Sequence, residues 1–149
     1  MAKLKIPQAP VATTHQVAAL PMRKAARTGR IKVLLVTTLD TGRWVIPKGW
    51  PWPDRPDHAA AAEEAWEEAG VIGNVTRKRL GSYSYLKRRK HGAAVHVRVD
   101  VYPFEVTEQK RTWPEHKHRQ RKWLSPAKAA ERVEEPELKA MIAALNSID

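Results

Sequence analysis

The stretch Gly49–Val71 reads GWPWPDRPDHAAAAEEAWEEAGV, a proline-rich loop followed by a helix closed by a glycine. Pro47 to Pro56 hold four prolines and a glycine, so this part is a loop. The run HAAAAEEAWEEA behind it is dense in helix formers. Asp57 stands where a cap is expected, and Gly70 where the helix should stop. On that helix Glu64, Glu67 and Glu68 sit at i, i+3 and i+4 and share one face, with Glu63 beside them. Like charges so placed repel by roughly 0.2–0.5 kcal/mol per pair. A Glu-rich helix taken alone reads as a solvated acidic face, but the flanking loop and glycine set this one apart. Oxygen-rich clusters of this kind suit Mg²⁺ or Mn²⁺.

Working outward, Gln16 to Met22 reads as a first strand interrupted by Pro21, and the β-branched run Ile31 to Thr38 as a buried strand. Asp40-Thr41-Gly42 supplies a turn, and Arg43 to Ile46 returns as the partner strand. After the helix, Val71 to Leu86 is extended. Val95, Val97, Val99 and Val101 then alternate with His96, Arg98, Asp100 and Tyr102, the pattern of a half-buried strand with one polar face. Residues 120–124 form a short strand. Ser125-Pro126 opens a helix, and a last helix runs from Pro136 to Leu145. The order of elements predicts an α+β fold in a single domain, residues 16–149, behind an N-terminal tail of residues 1–15.

Composition narrows the function. In 149 residues, Lys and Arg number 27 against 16 Asp and Glu, a net charge of +11, and there is no cysteine. A thiol nucleophile, a disulfide framework and a Cys-based zinc site are therefore excluded. No apolar run approaches the ~20 residues that cross a bilayer. The first residues lack the long apolar core of a secretory signal, and a cytoplasmic protein without a membrane partner is expected. The charge is segregated. No acid precedes Asp40, six acids crowd between Asp54 and Glu68, and basic runs follow at Lys87–His91 and Lys117–Lys122. An acidic island would repel nucleic acid. It makes sense if a divalent cation sits there while basic groups hold a phosphorylated ligand.

The quoted stretch resembles the Nudix box, G-x5-E-x7-R-E-U-x-E-E-x-G-U with U apolar, with spacing kept over all 23 positions. Gly49, Glu64, Ala65, Glu67, Glu68, Gly70 and Val71 fall on motif positions. Two positions depart: Arg55 replaces the first Glu, and Glu63 replaces the Arg. The two reversals oppose each other, so a structural pair with its ends swapped is expected between Arg55 and Glu63. Outside the box, Arg43-Trp44-Val45-Ile46-Pro47-Lys48-Gly49 resembles the family's lead-in. The elements Arg89-Lys90-His91, Trp113-Pro114-Glu115 and Arg119 to Trp123 look like the branch that hydrolyses diphosphoinositol and diadenosine polyphosphates.

The resemblance implies a mixed β-sheet sandwiched between α-helices, α/β/α, and a metal-dependent pyrophosphohydrolase in which water attacks a phosphoanhydride. It implies Mg²⁺, with Mn²⁺ as the other candidate, held by Glu64, Glu67, Glu68 and the Gly49 carbonyl. One of the paired glutamates, or Glu115, would take the proton from water. Arg23, Lys48, Arg88, Arg89, Lys90, His91, Arg119 and Arg121 are the expected ligands of a polyphosphorylated small molecule. Trp50 or Trp52 is placed to lie against it. Two alternatives stay open: a nucleoside triphosphate or RNA 5′-end pyrophosphohydrolase, and a non-catalytic polyanion- or nucleic-acid-binding Nudix module. The sequence leaves the oligomeric state undetermined.

Overall fold

The structure is a computed structural model and describes residues 14–88 and 90–145. Among these, eight strands form one mixed sheet: β1 (Thr14–Lys24), β2 (Ile31–Thr37), β3 (Trp44–Val45), β4 (Lys48–Gly49), β5 (Val71–Val75), β6 (Gly81–Lys87), β7 (Val95–Gln109) and β8 (Arg121–Leu124). Three helices, α1 (Asp57–Ala69), α2 (Pro126–Arg132) and α3 (Pro136–Ala143), cover its faces.

The centre of the sheet is β1 running parallel to β7, with Gln16 opposite Val99 and Met22 opposite Glu105. On its other side β1 is shared, with β2 along Met22–Lys24 and β4 along Val17–Ala18, both antiparallel. Strand β7 is long enough to carry β5 and β6 end to end on its outer side. Strand β2 pairs with β3 and β8.

Side chains alternate across a strand, so β1 and β2 feed two cores. Val17, Ala19, Leu34 and Val36 pack under α1. Ala18, Leu20, Val33 and Leu35 pack under α2 and α3, with Leu138, Ile142 and Val133. Both faces are covered, which explains why these strands read as apolar runs without a polar period. The expected α/β/α arrangement is present.

Several local readings are corrected. Strand β1 begins at Thr14, ahead of the expected boundary at Gln16, because Thr14 and His15 have partners across the sheet: the His96 carbonyl and the Asp100 carboxylate. The other thirteen residues of the expected tail lie outside the described residues. Pro21 does not interrupt β1; it keeps its register opposite Phe104. Asp57 does not cap α1. Pro56 is the cap residue, with no side-chain hydrogen bond, and Asp57 is the first helical residue. The polar face of β7 is polar only at its start, since Asp100 and Tyr102 are buried near α1. The extended stretch after α1 is two strands, β5 and β6, that meet different halves of β7. Ser125 caps α2 as expected, its hydroxyl accepting from the Lys128 N–H at 3.3 Å.

Candidate active site

Helix α1 lies close to the sheet because the residues facing it are alanines: Ala60, Ala61, Ala65 and Ala69 are fully buried. That closeness carries Glu64 and Glu68 against the short strand β4. The approach at Gly49 is tight enough that a Cβ there would overlap the Glu64 carboxyl group. Next to it, the Lys48 N–H donates to Glu68 Oε1 at 3.3 Å. The helix ends at Gly70 with φ 68°, a left-handed turn that glycine adopts without a Cβ clash.

The cluster is short of compensating charge. Burial raises the Glu64 carboxyl to about 8, and the charges of Glu68, Glu67 and Glu115 push the same way. Burial raises Glu68 to about 7, against the opposing pull of Arg119 and Lys48. Glu67 is raised less, by burial and by Glu63. Lys48 is lowered by burial, and the Glu68 charge opposes this. Buried carboxylates held this way want a cation, and an all-oxygen donor set fits a hard divalent ion.

Arg119 organises the other wall. It reaches Glu68 Oε2 at 3.2 Å, donates from Nε to Glu115 Oε1 at 2.6 Å, and donates from Nη1 to the Thr37 carbonyl at 2.8 Å. The Glu115 N–H donates to the Glu67 carbonyl at 3.1 Å, and Trp113 Nε1 to the Glu68 carbonyl at 2.9 Å. The loop before β8 is thus sewn onto the last turns of α1, which brings Glu115 to the helix glutamates although 47 positions separate it from Glu68.

Beside this group opens a cleft of about 880 Å³. Its lining includes Arg43, Lys48, Glu68, Tyr85, Lys87, Arg88 and Arg119, with the exposed side chains of Leu39 and Leu86. Lys48 Nζ lies 5.2 Å from the centre of the Tyr85 ring, and the Tyr85 hydroxyl donates to Gln16 Oε1 at 2.8 Å.

The other expected residues divide. Lys48, Arg88 and Arg119 line the cleft. Lys90 and His91 are exposed beyond β6 and do not line it. Arg89 lies outside the described residues. Arg23 stands at the far end of β1, 4.1 Å over the Trp123 ring and away from the cleft. Arg121 is engaged within the protein: it donates to the Ala69 carbonyl at 2.7 Å, also to the Lys110 carbonyl, and stacks 3.9 Å over Trp113. Arg55 lies 4.5 Å over the Trp52 ring, whereas Glu63 faces Glu67. Trp50 is exposed, and Trp52 packs beside α1.

Sequence reasoning passed over Arg43, Lys87 and Tyr85 as site residues. Arg43 reaches Glu135 Oε2 at 3.0 Å and so ties the cleft to the start of α3. It also passed over His15, Asp57 and Asp100, which among the described residues are the group of three possible metal ligands within 4.8 Å of one another. That group is already neutralised. Asp100 takes Arg79 at 3.2 Å, Arg98 at 3.3 Å and the Ser82 hydroxyl at 2.7 Å. Burial pushes the Asp100 carboxyl up, but Ser82, His15 and Arg98 outweigh it and hold it low. This is a charge network pinning β1, β6 and β7, whereas the glutamates of α1 are the set left wanting a cation.

A sequence model of the NUDIX domain matches residues 14–145, and the chain belongs to that family. Among curated relatives, Nudix hydrolase 21, chloroplastic, of Arabidopsis thaliana is 38% identical over 104 residues, 69% of this chain and 50% of that protein. Diphosphoinositol polyphosphate phosphohydrolase 3-beta of Bos taurus is 36% identical over 96 residues, 62% of this chain and 54% of that protein. The chain spans about half the length of such relatives. The crystal structure of a C. elegans Ap4A hydrolase binary complex superposes with a TM-score of 0.65 at 19% identity, over 91% of this chain and 96% of that one, a likeness of fold. Among the described residues no helix is long and apolar enough to cross a membrane.

Proposed function

We propose that the chain is a metal-dependent pyrophosphohydrolase that cleaves a phosphoanhydride bond in a polyphosphorylated small molecule by attack of water. The observation that carries this is the glutamate group packed against Gly49, which reaches through Glu68 into a cleft lined by Arg43, Lys48, Lys87 and Arg88. Diphosphoinositol and diadenosine polyphosphates are the favoured substrates. A bovine relative is named for the first class and a fold neighbour for the second.

Glu64, Glu67, Glu68 and the Gly49 carbonyl would hold Mg²⁺ or Mn²⁺. Such an ion supplies charge neutralisation for the phosphate oxygens of the reacting anhydride. The chain's own residues do the rest. Lys48, Arg88 and the added Lys87 and Arg43 bind and orient the phosphates, and positioning and charge supply most of the catalysis in phosphoryl transfer. Glu67 or Glu115 accepts the proton of the attacking water, and Arg119 fixes the Glu115 carboxylate for that purpose. Arg119 thereby acts as a positioning residue rather than as a phosphate ligand.

The test is phosphate release, after pyrophosphatase coupling, from a panel containing diadenosine polyphosphates, a diphosphoinositol polyphosphate, nucleoside triphosphates, ADP-ribose and triphosphorylated RNA. Turnover with Mg²⁺ or Mn²⁺ that is lost in Glu67→Gln is the expected result. Silence across the panel, with tight salt-sensitive binding of a polyanion, would replace the enzyme with a binding module. The expected cytoplasmic location draws no support from the relatives, several of which are named chloroplastic or mitochondrial.

A further inference from the structure

A second cleft, of about 540 Å³, lies on the other side of the turn between β2 and β3. Its lining runs along Thr37–Gly42 and His116–Gln120, and it shares Thr38, Leu39, Asp40, Thr41 and Arg119 with the first cleft. The two therefore abut along one ridge. That ridge is well held. The Thr38 N–H donates to the Arg43 carbonyl at 2.9 Å, the Arg43 N–H to Thr38 Oγ1 at 3.1 Å, and the Thr41 N–H to Asp40 at 2.6 Å. Its base is sewn to the opposite wall, where the Gln120 N–H donates to Thr37 Oγ1 at 2.9 Å and Arg119 holds the Thr37 carbonyl. The wall itself is a folded turn. The His118 N–H donates to the Glu115 carbonyl at 3.0 Å, and His116 Nδ1 lies 2.8 Å from the Trp113 carbonyl.

We infer that this second cleft binds the distal anionic end of an extended polyphosphate substrate, with Lys117 and His118 as its ligands. The inference rests on the pyrophosphohydrolase reading and narrows its substrate class. Lys117 and His118 are exposed on the wall, across the cleft from the ridge on which the Asp40 carboxylate is held by the Thr41 N–H. Leu39, 63% exposed, stands in the lining of both clefts and offers an apolar surface where an organic group can rest. A substrate with charge at one end would fill the first cleft and leave this basic turn unused. A linear polyphosphate with a charged or nucleoside group at each end crosses the ridge and meets cations on both sides.

The experiment uses the full chain with Mg²⁺ and diadenosine polyphosphates of increasing length, from tri- to hexaphosphate. Wild type is compared with the double variant Lys117→Ala, His118→Ala. The loss in kcat/KM should grow with chain length, reaching about tenfold more for the longest substrate than for the shortest. A loss equal at all lengths, or none, overturns the inference. Should wild type hydrolyse nothing, the enzymatic reading has failed, and a second measurement decides this one. Inorganic tripolyphosphate is titrated into the chain while the His116 and His118 ring resonances are followed by NMR. Resonances that move in wild type keep the second anion subsite; resonances that stay in place remove it.

Discussion

At Gly49 a single hydrogen atom is all that separates the backbone of β4 from the Glu64 carboxyl group, whose Oε1 would lie 2.7 Å from an added Cβ. The group to be displaced is the end of a flexible side chain, so Gly49→Ala should cost less than about 1 kcal/mol of stability. The displaced carboxylate is one of those proposed to hold the cation, so Mn²⁺ affinity by calorimetry should fall at least about tenfold. Unchanged affinity would remove Gly49 and Glu64 from the metal site. Arg119 makes the contrasting case. Its side chain is 9% exposed and pairs with a Glu68 side chain that is 10% exposed. Removing it takes a buried donor from the Thr37 carbonyl and from the Glu68 and Glu115 carboxyl groups, at about 1–3 kcal/mol per group left unsatisfied. Arg119→Met should cost about 3 kcal/mol in a urea melt at neutral pH, whereas a surface phosphate ligand would cost almost nothing. Arg119→Met combined with Glu68→Gln should recover part of the loss.

Among the elements, α1 depends on its end more than its start. Gly70 adopts φ 68°, and a Cβ there would meet the Trp113 ring at 2.7 Å and Arg121 Nη1 at 2.8 Å. The left-handed backbone alone costs an L-residue roughly 1–2 kcal/mol, and the overlap adds to it. Gly70→Ala should therefore lower stability by about 3 kcal/mol in denaturant unfolding. A change under 1 kcal/mol would mean that the loop carrying Trp113 is not packed on the helix. This junction also shows what the sequence could and could not disclose. Helix α1, the turn at Asp40–Gly42 and the start of helix α2 are legible because each has a local signature: helix formers before a glycine, turn residues between apolar runs, a proline just behind Ser125. The alliance of Arg119 with Glu68 and Glu115 was not legible, because an arginine in a basic run looks the same whether it faces water or a buried carboxylate. For the same reason Arg121, expected to bind substrate, is spent on backbone carbonyls. Asp100 falls on the polar face of the sequence pattern, and its burial is not legible there, because its partners Arg79 and Ser82 on one side and His15 on the other come from two distant segments.

For the molecule as a whole, the glutamate group couples stability, pH and metal. Glu64 is raised from 4.5 to about 8 and Glu68 from 4.5 to about 7, so between those values the folded state holds more protons than the unfolded chain. Stability then falls as pH rises, from about 4.5 up through about 8, in the absence of metal. The low Asp40 and Asp100 carboxyls act with the opposite sign but in a separate, more acidic window, where stability is lost as pH falls. A cation that binds only the folded chain adds RT ln(1 + [L]/Kd), and it competes with protons for the same oxygens. The melting temperature without metal should thus decline from pH 5 to pH 8.5, and the gain on adding Mg²⁺ should be larger at pH 8.5 than at pH 6. Glu64→Gln isolates this contribution, since it removes one half-buried carboxyl that titrates in this range. That variant should melt higher than wild type at pH 8.5 without metal, match it more closely at pH 5, and gain less from Mg²⁺ throughout. If Glu64→Gln instead melted lower at pH 8.5, the Glu64 carboxylate would already have a compensating partner in the metal-free chain. The glutamate group would then be a structural charge cluster rather than a prepared cation site.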